Sequence, residues 1–349
     1  MAHLTDLGGT DVLTWDLSGA SVARCWMHAM TSPYVPRALT DGDSIALVSP
    51  ASWSEPVQIE ETRALVESWG FRPRLGAHVH ERLGYLAGTD EDRLADLNAA
   101  IRDPEIRAIV TLRGGCGSSR LLRGVDVDAL RADPKPLVGF SDITALHRVW
   151  HQQGVPSLHG AVAGLHPELV DAVLRGGTPD PVPADRHQLG AELTTRGRAA
   201  GTLFGGNLEM LARSVGVLDF DLRGHVLLLE INRSAGLGHV DRALSQLIMA
   251  GALDGIVGVA LGWLSGFEGY ADRGWTVIDV LRDRLACLDV PVLAGLPFGH
   301  DDAMRVAPLG VRCSIDADAG LFTSSAATFS PAGRSSTTAP SPSGGADPS

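Results

Sequence analysis

The stretch AIVTLRGGCGSSRLL, residues 108–122, decides the fold. Its first five residues form a short apolar run, which is typical of a strand that is buried on both faces of a parallel sheet. Three glycines follow at positions 114, 115 and 117, and Ser118 then stands at the start of a predicted helix. A strand that turns sharply into a helix is the basic unit of an α/β domain with a largely parallel sheet.

Strands and helices alternate on both sides of this stretch. Thr89 begins a helix, because its hydroxyl can cap the first turn and Asp92 completes a capping-box pattern. Leu94, Leu97 and Ile101 then fall on one face of that helix. The other predicted elements of this half are strands at 44–49 and 136–140, a helix at 56–69 and a helix through Leu146 and Trp150.

The second half of the chain follows a stretch rich in Gly, Pro and polar residues, at 176–197. Its predicted elements are strands near 198–207 and at 225–231, 255–264 and 290–296, and a helix after His239 that places Val240, Leu244, Leu247 and Ile248 on one face. The sequence therefore predicts an α/β protein with an N-terminal domain at 41–175 (a mostly parallel sheet flanked by helices), a linker at 176–198, and a C-terminal α/β domain at 199–323 with a mixed sheet. We expect an active site in the cleft between the two domains.

The two ends of the chain differ from the part between them. Residues 1–40 show no sustained periodicity, which indicates an N-terminal extension and makes this segment a candidate for disorder. Met30 is an alternative start of the protein within that extension. Residues 324–349 are poor in large apolar side chains and rich in Ser, Pro and Gly, which predicts a disordered tail.

Composition limits the partners that the protein can have. Hydrophobic residues make up 44% and charged residues 20%, which is the balance of a soluble globular protein. Lys and Arg together number 29 and Asp and Glu 41, and the resulting net charge of −12 argues against a nucleic-acid backbone as partner. No run approaches the roughly 18–20 apolar residues of a membrane span. The first residues carry acids where a secretory signal carries basic residues, so we predict no membrane partner and a cytoplasmic location.

Cysteine and histidine spacing predicts neither a metal site nor a cofactor. His78 and His80 form an H-x-H pair, but no third ligand follows at a useful spacing, so we interpret the pair as part of a surface strand or loop. The cysteines show no C-x-x-C spacing, and reduced thiols are expected. They are Cys25, Cys116, Cys287 and Cys313.

The segment Arg113–Gly117, called the glycine turn below, precedes a candidate nucleophile. Ser118 at the start of a helix gains from the positive helix end, which favours an alkoxide and a nearby oxyanion. This is the logic of a nucleophile elbow, although the G-x-S-x-G spacing is absent. A Walker loop requires a Lys that is missing here, and the glycines do not fit G-x-G-x-x-G. On spacing alone, a structural turn or a phosphate cradle stays open.

Three further residues are candidates for chemistry. Glu230 follows four strongly apolar residues, so its side chain can emerge at the carboxyl edge of a sheet, where α/β proteins bind ligands. His300 ends the loop GLPFGH after a predicted strand, and His159 in SLHGAV is comparable on spacing. The alternative for Glu230 is a solvated acid at a strand end, and for either histidine it is a surface or structural role.

A second serine also follows a strand and a glycine. Ser141 lies in GFSDI, which begins as G-x-S-x. Ile143 stands where a nucleophile elbow requires a glycine for close packing. We therefore interpret Ser141 and Asp142 as caps of the next helix.

Seven segments together resemble a known family. They are GDSIALVSPAS at 42–52, LAGTDEDRLADLNAAIRDPEIRAIVTLRGGCGSSRLL at 86–122, PLVGFSDITALH at 136–147, GTLFGGNLEML at 201–211, LLLEI at 227–231, HVDRALSQL at 239–247 and PVLAGLPFGH at 291–300. From about residue 42 to 322 the chain resembles the LD-carboxypeptidases, meaning the muramoyltetrapeptide carboxypeptidases and their relatives, the microcin C immunity hydrolases. The resemblance implies that Ser118 is the nucleophile and that Glu230 and His300 complete a catalytic triad. Two residues depart from the family pattern: Cys116 stands where the family usually has Tyr, and Ile231 where it usually has an acid.

The resemblance also implies an activity. It implies a serine carboxypeptidase that forms an acyl-enzyme and hydrolyses the L,D-peptide bond to the C-terminal D-alanine of murein tetrapeptides during peptidoglycan recycling, and it is compatible with a homodimer. The backbone N–H of Ser119 is the expected oxyanion donor, because it follows the nucleophile. Arg113 or Arg120 would hold the free carboxylate of the substrate. Two alternatives stay open: hydrolysis of a peptidyl-nucleotide antibiotic for self-immunity, and a non-catalytic protein that holds an anion in the glycine turn.

Overall fold

A computed structural model describes residues 34–301 and 303–324 of the chain. The strands are β1 (Ser44–Val48), β2 (Arg72–Leu75), β3 (Ile106–Thr111), β4 (Leu137–Gly139), β5 (Ser157–His159), β6 (Val182–Pro183), β7 (Arg198–Asn207), β8 (His225–Asn232), β9 (Gly258–Ser265), β10 (Ala271–Asp272), β11 (Trp275–Thr276), β12 (Val292–Ala294), β13 (Ala307–Leu309), β14 (Arg312–Asp316) and β15 (Leu321–Ser324). The helices are α1 (Pro56–Ser68), α2 (Asp90–Arg102), α3 (Val127–Ala132), α4 (Thr144–Gln152), α5 (Pro167–Leu174), α6 (Leu208–Arg213), α7 (Leu237–Met249) and α8 (Val277–Ala286).

The first sheet is parallel except at one edge. Its strand order is β13-β5-β4-β3-β1-β2, and only β13 pairs antiparallel, with β5. Every residue of β1, β4 and β5 is buried, since helices cover both faces. Ile109 packs with α2 and α4 on one face, and Val110 packs with α1 and α5 on the other. The predicted mostly parallel sheet flanked by helices is confirmed.

The second sheet is mixed, as predicted. Its strand order is β12-β9-β8-β7-β14-β15-β6. The first four of these strands are parallel, and β14, β15 and β6 continue the sheet in antiparallel pairing. Apolar residues of α6, α7 and α8 cover one face of the parallel part. The sheet therefore joins a parallel half to an antiparallel half of short strands.

Two strands lie outside the segments to which the sequence assigned them. β6 falls within the predicted linker at 176–198, where Val182 is buried and pairs with Phe322. β13 falls within the predicted C-terminal domain at 199–323, but it completes the first sheet by pairing with β5. Both strands are only two or three residues long, which is too short to show a period of two in the sequence. The division into two domains stays a prediction.

Helix α2 begins at the predicted cap, but its buried face is not purely apolar. Thr89 Oγ1 accepts the N–H of Asp92, and the Asp92 carboxylate accepts the N–H of Thr89, so the capping box is present. Arg93 and Asp96 are buried on the inner side of this helix. Arg93 donates to the carbonyl of Pro50, and Asp96 accepts two N–H groups of the loop after β2. These charged side chains form hydrogen bonds with backbone groups of neighbouring loops. Hydrophobic periodicity in the sequence cannot predict such contacts.

The described part of the chain begins before the predicted boundary at residue 41. Leu39 is buried and donates its N–H to the carbonyl of Leu174 at 2.9 Å, so this end of the predicted extension packs on the first sheet. The expectations for residues 1–33, including Met30, and for residues 325–349 lie outside the described residues. Among residues 34–301 and 303–324, no helix has the length and apolarity that crossing a membrane needs.

Candidate active site

The glycine turn requires glycine at two positions for reasons of backbone and space. Gly115 and Gly117 have φ angles of 97° and 119°, a region that residues with a side chain rarely adopt. A Cβ atom at Gly117 would lie 2.5 Å from Leu86 Cδ2, and one at Gly115 would collide with Ser52 Oγ. The turn therefore packs tightly against two neighbouring loops. Ser118 then begins a single turn of 3₁₀-helix in place of the predicted α-helix.

Asp142 holds Ser118 through two hydrogen bonds. Ser118 has 0% of its surface exposed; its N–H donates to Asp142 Oδ2 at 2.8 Å, and its hydroxyl donates to the Asp142 carbonyl at 2.7 Å. Burial raises the pKa of the Asp142 carboxyl. Ser141, with a left-handed φ of 62°, turns the chain at this point. The prediction that Ser141 and Asp142 cap the next helix is wrong: α4 has no side-chain cap, and Asp142 bonds to the residue after the glycine turn instead.

The backbone N–H of Ser119 is available for an oxyanion. The neighbouring N–H of Ser118 is engaged by Asp142, and that of Arg120 donates to Gly117. In the part of the chain that the structure describes, no group accepts the N–H of Ser119. Its role as the oxyanion donor stays a prediction, and the local hydrogen bonding is compatible with it.

A buried Glu230 and a partly exposed His300 form a hydrogen-bonded pair. Glu230 has 0% of its surface exposed, and its Oε2 lies 2.8 Å from Nδ1 of His300. Its Oε1 accepts from the side-chain amide of Asn207 at 3.0 Å, because the register of β7 and β8 places Asn207 directly beside Glu230. The pairing of β8 with β9 shifts between Leu229 and Ile231, at Glu230 itself. Both carboxylate oxygens are therefore partnered, and the alternative of a solvated acid does not apply.

His300 approaches Glu230 because the residue before it is glycine. A Cβ atom at Gly299 would lie 3.1 Å from Glu230 Cβ, and Gly299 has a φ of 133°. The His300 side chain is 22% exposed, and its ring packs against Phe140 with the centroids 5.0 Å apart. Within residues 34–301 and 303–324, His300 Nε2 has no hydrogen-bond partner. This nitrogen can therefore accept a proton from a substrate or nucleophile.

One turn connects the serine to the histidine. Residues 140–142 follow β4; Phe140 contacts His300, and Asp142 contacts Ser118. A Cβ atom at Gly114 would lie 2.9 Å from Ser141 Cβ, so the glycine turn packs directly on this turn. Ser118 and the Glu230–His300 pair thus contact the same turn, and in the described residues the Ser118 hydroxyl donates to Asp142 rather than to His300. That the three residues form a triad stays a prediction. Sequence reasoning missed Asn207 as the partner of Glu230; its place at the end of a strand beside β8 is the signal that could have found it.

The other histidines that the sequence singled out have different surroundings. His78 lies in a loop, as predicted, where its Nδ1 is 2.8 Å from Asp96 Oδ1, and this hydrogen bond raises its pKa. No group of three or more His, Cys, Asp or Glu side chains with metal-binding geometry occurs among the described residues. His159 is fully buried, and burial lowers its pKa well below the ordinary value.

The two arginines proposed for the substrate carboxylate differ in their partners. Arg120 is exposed, and its Nε donates to the Asp90 carboxylate at 2.8 Å, so it already has an acidic partner, which it shares with Arg93. Arg113 donates to the carbonyl of Trp53 at 3.2 Å. No carboxylate of residues 34–301 or 303–324 forms an ion pair with Arg113. Arg113 is therefore the better candidate for holding an anion next to the glycine turn.

Comparison with known sequences covers both halves of the chain. The profile of the LD-carboxypeptidase N-terminal domain matches residues 45–160, and that of the LD-carboxypeptidase C-terminal domain matches residues 200–315. The chain is 37% identical over 316 residues to a Streptomyces coelicolor protein with a provisional carboxypeptidase name. This alignment covers 82% of this chain and 95% of the relative. It is 33% identical over 285 residues to the murein tetrapeptide carboxypeptidase of Pseudomonas aeruginosa, which covers 76% of this chain and 91% of the relative.

Solved structures have the same fold. The muramoyltetrapeptide carboxypeptidase of Oxalobacter formigenes superposes with a TM-score of 0.71 at 25% identity, over 82% of this chain and 99% of that one. The microcin C7 self-immunity protein in complex with glutamyl sulfamoyl guanosine superposes with a TM-score of 0.72 at 24% identity, over 85% of this chain and 100% of that one. The comparisons therefore agree on one family and one fold.

Proposed function

The chain belongs to the LD-carboxypeptidase family, and from this premise we propose that it releases the C-terminal D-alanine of murein tetrapeptides through an acyl-enzyme on Ser118. The observation that carries the proposal is the hydrogen bond between the buried Glu230 and His300, whose ring contacts the turn that also holds Ser118. A buried carboxylate that orients a histidine beside a serine is the arrangement of a catalytic triad. Family membership supports the same assignment.

The first half of the proposed reaction forms the acyl-enzyme. The Ser118 hydroxyl rotates away from the Asp142 carbonyl and transfers its proton to His300 Nε2 as its oxygen attacks the carbonyl carbon of the scissile bond. Glu230 accepts the N–H of Nδ1 and stabilises the imidazolium that forms. The N–H of Ser119 donates to the oxyanion, an interaction worth about 3–4 kcal/mol in comparable enzymes.

The second half releases both products. The tetrahedral intermediate collapses as His300 gives its proton to the amine of D-alanine, so the C–N bond breaks and D-alanine leaves. Water then attacks the ester carbonyl with His300 again as base, and the C–O bond to Ser118 breaks as His300 returns the proton to the Ser118 oxygen, which gives the tripeptide and the free enzyme. We propose that this reaction serves peptidoglycan recycling in the cytoplasm; a homodimer stays a prediction.

We expect Arg113 to bind the free C-terminal carboxylate of the substrate. Replacing Arg113 with Gln should raise KM for a tetrapeptide by about 10- to 100-fold with kcat changed little, because a charge-assisted hydrogen bond contributes about 1.5–3 kcal/mol. Arg120→Gln is the matched control and should change KM less than about threefold, since Arg120 already pairs with Asp90. Steady-state kinetics on a tetrapeptide and its C-terminal amide measure both effects. Equal KM changes in the two variants would assign the carboxylate to another group.

Product analysis by mass spectrometry tests the proposed function. The purified protein is incubated separately with a murein tetrapeptide and with a peptidyl-sulfamoyl adenylate. Release of D-alanine with a matching tripeptide supports the proposal. Cleavage of only the nucleotide conjugate would favour the self-immunity alternative, which the 25% identity to the Escherichia coli microcin C7 self-immunity protein keeps open. Failure to cleave either compound, together with no labelling of Ser118 by a fluorophosphonate, would indicate an anion-binding protein.

A further inference from the structure

His159 is a buried polar residue whose hydrogen bonds the protein itself does not supply. It ends β5 with 0% of its surface exposed. Neither Nδ1 nor Nε2 has a hydrogen-bond partner among residues 34–301 and 303–324. Leaving one buried donor or acceptor unpaired costs about 1–3 kcal/mol, and folded proteins usually satisfy such groups with an internal water. The position of His159 therefore points to a bound molecule.

His147 provides a comparison within the same structure. It is also fully buried, and its ring centroid lies 6.0 Å from that of His159. Both of its ring nitrogens are satisfied by the protein, with Ser157 Oγ and the Gly139 carbonyl each at 2.9 Å. Burial of a histidine in this region does not by itself leave ring nitrogens unpaired. The unsatisfied nitrogens are a property of His159 and its immediate neighbours.

Gly206 lies where His159 and the Thr144 hydroxyl approach each other, and no side chain fits at this position. A Cβ atom at Gly206 would lie 3.1 Å from His159 Nδ1 and 2.6 Å from Thr144 Oγ1. The two polar atoms are therefore at most the sum of these distances apart, 5.7 Å. One water with two hydrogen bonds of about 2.8 Å can bridge polar atoms up to about 5.6 Å apart, so this upper limit is close to the reach of one water. Thr144 Oγ1 accepts the N–H of Asn207 at 3.0 Å, and in the described residues its own proton has no acceptor.

We propose that His159 is a positioning residue that binds, together with Thr144, one internal water beside Gly206 and thereby fixes Asn207 against Glu230. The connection runs from the water to Thr144, from Thr144 to the backbone N–H of Asn207, and from the Asn207 side chain to Glu230 Oε1 at 3.0 Å. Glu230 in turn orients His300. The inference rests on the proposed catalytic role of Glu230 and His300. In this proposal His159, which lies in the first sheet, helps to align His300 with Glu230, which lies in the second sheet.

The charge state of His159 suits this role. Burial and the nearby His147 and His300 lower the pKa of His159 well below 6.5, and burial lowers the pKa of His147 to about 4. Neutral imidazole has one N–H donor and one acceptor, and a water can use either. A neutral ring also adds no positive charge beside His300, so it does not oppose the imidazolium that forms during catalysis.

The test compares His159→Phe with His159→Asn in the full-length protein. Phe removes both ring nitrogens, whereas the Asn amide places a polar atom near the position of Nδ1. We expect His159→Phe to lower kcat about five- to tenfold with KM unchanged. A loss of this size corresponds to about one hydrogen bond that aligns the Glu230–His300 pair. The acidic limb of the kcat/KM profile should move to lower pH, because a loosely held Glu230 stabilises the His300 imidazolium less. His159→Asn should restore most of kcat and the original limb.

His147→Phe is the matched control, because it disrupts a buried histidine nearby without touching the proposed water. It should lower the melting temperature but leave the acidic limb in place. Equal effects of His147→Phe and His159→Phe on kcat and on the limb would reduce His159 to a structural residue and overturn the inference. If His159→Phe does not fold, Thr144→Val takes its place, and an unchanged kcat and limb in that variant would overturn the inference equally.

A second readout separates this inference from the proposed function. The rate at which a fluorophosphonate labels Ser118 depends on the alignment of Glu230 and His300 but not on the natural substrate. A wild-type protein that is labelled but cleaves no tetrapeptide would contradict the proposed substrate, and the labelling rates of the His159 and His147 variants would still decide the inference. Slower labelling in His159→Phe than in His147→Phe supports it, and equal labelling rates contradict it.

Discussion

Replacing Ser118 with alanine is expected to abolish turnover, with kcat lower by about 10⁶-fold, as for other serine hydrolases that lose their nucleophile. The fold should persist, because the Ser118 N–H keeps its bond to the Asp142 carboxylate and only the bond from the hydroxyl is lost. Product release from a murein tetrapeptide measures the activity, and thermal unfolding measures the stability.

Two neighbouring serines serve as controls for this experiment. Ser119→Ala leaves the backbone N–H that we assign to the oxyanion, and it should keep activity within about threefold of wild type. Ser141→Ala tests the other serine that follows a strand and a glycine. If Ser118→Ala retains a rate like that of wild type, the nucleophile is assigned wrongly, and Ser141 becomes the next residue to test.

Glu230→Gln is expected to lower kcat by about 10³-fold with KM changed little. In related triads the corresponding acid-to-amide change costs about 10⁴-fold, and a longer Glu side chain should tolerate it somewhat better. One carboxylate oxygen accepts from the Asn207 amide and the other from His300. A Gln amide must place its NH₂ group against one of these two donors. The loss of charge and the mismatch both act on His300 rather than on substrate binding.

Steady-state kinetics separate the two parameters for this variant. Glu209→Gln is a suitable control, because Glu209 lies two residues after Asn207 and pairs with Arg213 at 2.6 Å rather than with the histidine. The control should change kcat less than about twofold. A Glu230→Gln variant with kcat close to wild type would leave a Ser–His dyad as the catalytic unit.

Much of the fold could be predicted for elements that are long or that carry a local sequence signal, such as an apolar run or a helix cap. The apolar run that became β3 and the capping box at Thr89 both have a local signal, and both are present. β5 and β13 are three residues each, and they pair across more than a hundred residues of sequence. Such pairing depends on the arrangement of the whole chain, so periodicity could not predict that β13 completes the first sheet.

For the candidate site, the sequence predicted some residues but not their supporting contacts. The glycine turn and the family motifs predicted Ser118, Glu230 and His300 as site residues; in the structure Glu230 bonds to His300, and Ser118 and His300 each contact the turn at residues 140–142. Asp142 was interpreted as a helix cap, because an Asp before a helix usually serves there. The left-handed backbone at Ser141 accompanies the contact of Asp142 with Ser118 across the turn, and no sequence pattern indicates that conformation. Asn207 could not be predicted because its contact with Glu230 depends on the register of β7 and β8. His159 could not be predicted because its unpaired nitrogens depend on its burial in the folded protein.

The late position of β13 has a consequence for biosynthesis. Ala307 pairs with His159, so β5 is synthesised long before its partner strand, and the nascent first sheet carries an open edge while the residues between them are made. Open edges recruit other strands and promote aggregation. A protease cut within 176–198 would leave the same edge open in the N-terminal fragment. We therefore expect that fragment to require its C-terminal complement for solubility.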